Sequence, residues 1–339
     1  GVLGGRKKKA THGESSVGAP PKKKVPEVAQ AAKLVFGAGG IYAAFIYYGS
    51  LQEEVFNYKT TSGESFRQVW FLQVLEAAFN VLVGFLGLRV SGGTEGLPLR
   101  MLSCTGATQV LAKYCTNAAL AHGVSFPVVT LAKSGKMVPV MLGSLLIGGA
   151  TYSLRQYVQV LAIVGGTAIV SLSKKKKKAT GGTASGLAFI CASLAFDGLT
   201  GGVQKRVKLE ATRRGVTPKP YDYMFWTNCF MFVTAVAFSL ARKELADGAA
   251  FCLANPEVLT KILKFSACSA FGQSFIFYTI ANFDPLVCTT ITSTRKIFSV
   301  LLSILYKGHN LNLQGWTGVA LASAGILAEA FAGKKNKQH

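Results

Sequence analysis

The chain has 339 residues, of which 50% are hydrophobic and 15% charged, where a soluble domain carries about 25% charged residues. Its formal net charge is +22, from 37 Lys and Arg against 15 Asp and Glu, and its mean hydropathy is +0.35. Such basicity would suit a nucleic-acid binder, but the basic residues sit in short runs between long apolar stretches, the layout of a polytopic membrane protein; a polar disordered chain and an ordinary cytosolic enzyme are excluded.

Residues 1–31 form a Lys-, Gly- and Pro-rich tail, expected to be disordered and cytosolic. The chain opens on Gly1 rather than Met, which points to a missing or processed start, and the first apolar run follows the tail rather than a signal-peptide pattern. A helix needs about 20 residues to cross roughly 30 Å of hydrocarbon. That length predicts ten spans, near 32–51, 68–88, 100–121, 125–146, 154–173, 183–204, 222–241, 262–282, 284–306 and 311–331. The runs are continuous rather than alternating in segments of about ten, which excludes a β-barrel. The expected fold class is an all-α membrane protein. Five spans (32–173) precede a lysine-rich loop (174–182), five follow it (183–331), and a short cytosolic tail (332–339) closes the chain.

A shift of 159 residues superposes Ser134 on Ser293, Lys136 on Arg295, Ser144 on Ser303, Tyr157 on Trp316 and Gly166 on Gly325. Matches among apolar residues are common by chance; a mid-span cation falling on a mid-span cation is not. Because five is odd, two such halves in series run in opposite directions through the bilayer. Inverted repeats of this kind are the architecture of secondary transporters, with the substrate site near the midplane between them. With a cytosolic N-terminus, cytosolic segments hold 20 Lys and Arg and lumenal loops 12, so the positive-inside bias places both termini in the cytosol. The run Lys174–Lys178 falls on the lumenal side and opposes that bias.

Cations inside spans carry the functional signal. A Lys or Arg at the bilayer centre costs about 2.5–3.5 kcal/mol on insertion scales, and the chain places Lys133 and Lys136 in span four and Arg295 and Lys296 in span nine. Lys133 and Lys136, three apart, share a helix face. Lys113 in span three is a further candidate whose role stays open. Few acids lie within spans to neutralise these cations, Glu76 and Asp197 being the clear ones. Excess positive charge in a buried cavity implies an anionic substrate, and several cations together imply phosphates or sulfate. Snorkelling to a headgroup region is the plain alternative, but Lys133 and Lys136 lie about eight to eleven residues into their span. Gln52 and Glu53 in the first span, with Gln273 and Ser274 in the eighth, could hold a base or sugar, against the alternative of helix packing. Gly198 and Gly202 have the small-xxx-small spacing of a close helix contact.

Seven cysteines, an odd number found mostly within spans, indicate no disulfide framework. Four histidines scattered at loops and ends show no metal-ligand spacing. No metal or cofactor is implied, nor any nucleophile–base pair or nucleic-acid partner. The last residues place Lys335 and Lys337 fifth and third from the end, matching a KxKxx retrieval signal read by cytosolic coat proteins.

Several segments taken together resemble the nucleotide-sugar transporters of solute carrier family 35, subfamily B. These are Leu131–Met141 (LAKSGKMVPVM), Asp197–Gly201 (DGLTG), Ser266–Phe277 (SACSAFGQSFIF), Pro285–Ser303 (PLVCTTITSTRKIFSVLLS) and the pair Gln52-Glu53. The resemblance covers essentially residues 32–333. It implies the ten-helix drug/metabolite-transporter bundle of two inverted five-helix repeats, in the endoplasmic reticulum membrane, with cycling through the Golgi left open. Within the subfamily, Arg295-Lys296 and DGLTG look like the branch associated with UDP-galactose or UDP-glucose import and ATP/ADP exchange. The FIFYTI and LLSILYKGH stretches are similar to the branch carrying the sulfate donor PAPS. Carried over, Lys133, Lys136, Arg295 and Lys296 would hold phosphates, with Glu53 and Gln273 nearer the base. The function expected is an antiporter exchanging a nucleotide or nucleotide sugar across the lipid bilayer. The alternative of another class is a non-transporting scaffold whose basic tails bind anionic lipid.

Overall fold

The computed structural model describes residues 27–60, 63–134, 184–282 and 312–335, with scattered positions within 138–169 and 291–302. Nine helices are described: α1 (Glu27–Asn57), α2 (Val69–Ser91), α3 (Leu99–Ala121), α4 (Phe126–Ser134), α5 (Ala184–Arg213), α6 (Pro220–Ala241), α7 (Glu244–Ala254), α8 (Pro256–Asn282) and α9 (Leu313–Lys335). Among the described residues there is no strand beyond one isolated bridge, Lys59 to Ser65, in the α1–α2 loop. Proline stands just before or in the first turn of four helices, at Pro98, Pro127, Pro220 and Pro256, where its missing N–H has no intrahelical partner to lose. Gly123 and Gly215, at φ 82° and 67°, follow α3 and α5 and allow the left-handed turn that ends a helix.

Long apolar runs set where the helices lie, but the helices outrun them. α1 has 31 residues, about 46 Å at 1.5 Å per residue, and begins at Glu27, inside the segment expected to be a disordered tail to residue 31. α5 likewise continues to Arg213, past the expected end near 204. Hydropathy locates the edge of the hydrocarbon, whereas helical hydrogen bonding continues into water. Helix α7 occupies a stretch expected to be loop. Among the described residues, Ala31–Asn57 of α1, together with α2, α5 and α6, are the segments both long and apolar enough to cross a membrane. Most of the expected spans 125–146, 154–173 and 284–306, and the loop 174–182, lie outside the described residues.

The helices pack chiefly as α1 on α8, α2 on α6 and α3 on α5, with α2 also on α8 and α3 on α6. A Cβ at Gly198 of α5 would stand 2.5 Å from the Pro139 carbonyl oxygen, so the small residue there does mark a close helix approach. One end of the bundle gathers the end of α1, the start of α2, α7 and the start of α8. There Glu244 Oε2 accepts the Trp70 N–H at 2.7 Å, and Tyr58 OH reaches Asn255 Oδ1 at 3.5 Å. At the opposite end the buried Asp222 carboxylate accepts N–H groups of Lys219 at 2.7 Å and Thr94 at 3.1 Å. Lys219 Nζ donates to the Ser91 carbonyl at 2.7 Å. Beside an apolar core that includes Phe66, Leu72, Ile262 and Phe265, the bundle buries a set of polar side chains. Gln73, Glu76, Asn80, Asn117, Ser193 and Ser269 are at most 2% exposed, whereas Leu82, Leu86, Val90, Val233 and Leu240 are more than half exposed. Such an apolar exterior suits lipid, and the buried polar side chains position the site.

Candidate functional site

Two lysines inside the bundle are each held by an acid from a different helix. Glu76 of α2, 1% exposed, accepts hydrogen bonds on Oε1 from Lys113 Nζ of α3 at 2.7 Å, Ser269 Oγ of α8 at 2.7 Å and Tyr48 OH of α1 at 3.3 Å. Lys133 of α4 forms an ion pair with Asp197 of α5 and donates to Ser193 Oγ at 2.9 Å. Ser193 in turn donates to the Ala112 carbonyl at 2.7 Å, fixing α5 against α3. Both lysine side chains remain about a quarter exposed, at 26% and 23%. Arg295 differs: its guanidinium lies over the Phe45 ring, 4.8 Å from the centroid. Its buried Nε has no hydrogen-bond partner among the described residues, and no carboxylate among them pairs with it.

These three cations line one cavity of about 240 Å³, together with Tyr48, Gln52 and Asn117. Gln52 Nε2 donates to Asn117 Oδ1 at 2.5 Å, and Phe45 and Phe126 form an apolar wall. Charge-assisted donors and aromatic faces in one enclosure suit phosphate or sulfate attached to a planar ring. The volume is below the roughly 300–1,000 Å³ of a complete small-molecule pocket.

Of the residues singled out from sequence, Lys113, Lys133, Arg295 and Gln52 come together here. Glu53, the next residue along α1, is 3% exposed and stands outside the described lining. Gln273 accepts from Asn228 Nδ2 at 3.4 Å in the α6–α8 contact, and Ser274 Oγ donates to the Ala270 carbonyl of its own helix at 3.1 Å. Lys136, Lys296 and Lys337 lie outside the described residues, and Lys335 is the last residue of α9. Asn117 was not legible as a site residue, although it lies four after Lys113 and so on the same helix face. The acids do more than their small number suggested, since Glu76 and Asp197 pair with two of the three cations lining the cavity and leave Arg295 without a carboxylate partner among the described residues.

Residues 33–332 match the UAA transporter family. The chain belongs to this family. It is 32% identical to the Arabidopsis thaliana protein named UDP-galactose/UDP-glucose transporter 3, over 88% of this chain and 92% of the relative. It is 32% identical to human adenosine 3'-phospho 5'-phosphosulfate transporter 1, over 91% of this chain and 72% of the relative. It is 31% identical to solute carrier family 35 member B1 of Dictyostelium discoideum, over 90% and 78% respectively. A solved crystal structure superposes with a TM-score of 0.51 at 14% identity, covering 89% of this chain and 99% of its own, a likeness of fold alone. UAA family membership bears out the resemblance carried by the Lys-Ser-x-Lys and Thr-Arg-Lys elements, and the relatives named are transporters rather than enzymes.

Proposed function

We propose that this chain is an antiporter of the endoplasmic reticulum membrane that exchanges a nucleotide sugar, UDP-galactose or UDP-glucose, for a nucleotide by alternating access. The observation that carries the proposal is the convergence of Lys113, Lys133 and Arg295 on one cavity inside the bundle. The family and the names of the relatives supply the substrate class. Lys133 and Arg295, with Lys136 and Lys296 beside them in sequence, would hold the phosphates, while Gln52, Glu53, Gln273 and Ser274 would serve base and sugar. Lys335 and Lys337 would return the protein to the endoplasmic reticulum through coat proteins, with both termini cytosolic.

Two inverted five-helix repeats fit the helix pairing. Exchanging α1 with α5, α2 with α6 and α3 with α8 turns the α1–α8 contact into the α5–α3 contact. The same exchange turns α2–α8 into α6–α3 and leaves α2–α6 unchanged. A set of contacts invariant under that exchange is what a two-fold relation between halves requires, and rocking of such halves about a central site gives alternating access.

Arg295 supports exchange rather than uniport. A buried cation with no carboxylate partner among the described residues would make reorientation of the empty carrier costly, and an anion would bring it across. Proteoliposomes loaded with UMP, UDP or ATP should take up labelled UDP-galactose faster than empty ones. Uptake equal in both refutes exchange, and absence of any nucleotide-dependent shift in melting temperature favours the scaffold. A second substrate reading, ATP/ADP exchange or carriage of adenosine 3'-phospho 5'-phosphosulfate, is favoured by one observation, the third cation Lys113.

A further inference from the structure

We infer that Lys113 is a substrate contact that selects nucleotides bearing an anionic group beyond a diphosphate, either a third phosphate in the chain or a separate phosphate on the ribose. The inference rests on the transport function proposed above and specifies its substrate class.

Lys113 enters the cavity from α3, whereas Lys133 enters from α4 and Arg295 from the stretch between α8 and α9. A diphosphate held by the latter two leaves the α3 side to a further group. The Lys113 ammonium has three N–H donors. Among the described residues it makes one hydrogen bond, to Glu76 Oε1 at 2.7 Å. That oxygen also accepts from Ser269 and Tyr48, so Glu76 is held in place by α8 and α1 whether or not Lys113 turns. With the side chain 26% exposed toward a cavity that also contains Tyr48, Lys113 can turn its remaining donors to a ligand without abandoning Glu76.

Substituting Lys113 alone would strand the Glu76 carboxylate, so the test variant is Lys113→Met with Glu76→Gln, which keeps the site neutral. Affinities of UDP-galactose, ATP and adenosine 3'-phospho 5'-phosphosulfate are measured on purified full-length protein, wild type and double variant. Losing one charge-assisted contact lowers affinity roughly ten- to a hundred-fold. The preference for ATP or for the ribose-phosphorylated ligand over UDP-galactose should therefore fall by about tenfold or more. A fall for ATP alone assigns the third phosphate of the chain; a fall for the other ligand alone assigns the ribose phosphate. Unchanged ratios, or an equal loss for all three ligands, overturn the inference. Should the double variant not fold, reductive methylation of wild-type Lys113 supplies the test. The ligand with the extra anionic group should protect it several-fold better than UDP-galactose, and equal protection overturns the assignment. Wild-type protein that binds none of the three refutes the transport function instead.

Discussion

Replacing Arg295 with Met should separate stability from function. The guanidinium rests on Phe45 with the centroid at 4.8 Å, a cation–π contact worth about 0.5–2 kcal/mol. Against this stands a buried Nε that no described group satisfies, at a cost of about 1–3 kcal/mol. The two contributions nearly cancel, so ligand-free Arg295→Met should melt close to the wild-type temperature. Its affinity for UDP should nevertheless fall by roughly ten- to a hundred-fold, the loss of one charge-assisted contact of about 1.5–3 kcal/mol. Lys133→Met supplies the contrast. It strands Asp197, and removing one partner of a buried pair costs about 3–5 kcal/mol, less here because both side chains remain partly exposed, at 23% and 17%. That variant should lose affinity and melt lower. Detergent-solubilised protein, melted with and without UDP and titrated calorimetrically, measures both quantities. An Arg295→Met protein that is destabilised when empty yet binds UDP as tightly as wild type refutes the reasoning.

Glu53→Gln tests base recognition: a change in the preference between UDP and ADP supports contact with the base, whereas a parallel shift in both inhibition curves assigns Glu53 to the electrostatics of α1. Gly198→Val should abolish transport or folding, because its first added carbon would meet the Pro139 carbonyl oxygen at 2.5 Å; wild-type uptake at normal expression counts against that packing. Burial pushes the Cys252 thiol of α7 up to about 11, so maleimide at pH 7.5 should label it only after unfolding. Unfolding releases its proton between the ordinary thiol range near 8.5 and about 11, so this group's contribution to stability should decline as pH rises through that window. Labelling of the folded protein at the rate of a free thiol contradicts the burial.

Hydrophobic run length made the helices legible, because a bilayer imposes a minimum length on anything that crosses it. Lys133 and Arg295 were legible for the same reason, as charges where hydrocarbon should make them rare. Their partners were not. Asp197 is 64 positions from Lys133 and Glu76 is 37 from Lys113, and no periodicity links residues that far apart on separate helices. The start of α1 and the end of α5 were misplaced because polar residues outside the lipid can remain helical without leaving a hydropathy signal. Helix α7, at 11 residues, is too short to stand out from a loop by apolar length.

The lysine–carboxylate pairs bear on residence time. Under the proposed function, a phosphate reaching Lys133 meets an ammonium already resting on Asp197, so its gain is the difference between two ionic contacts rather than the whole of one. On departure, the carboxylate takes the lysine back and this pair leaves no bare charge of its own behind. Cargo held in this way is released on a lower barrier than it would be from unpartnered cations, which suits a site that must empty once per turnover more than one built to retain its ligand.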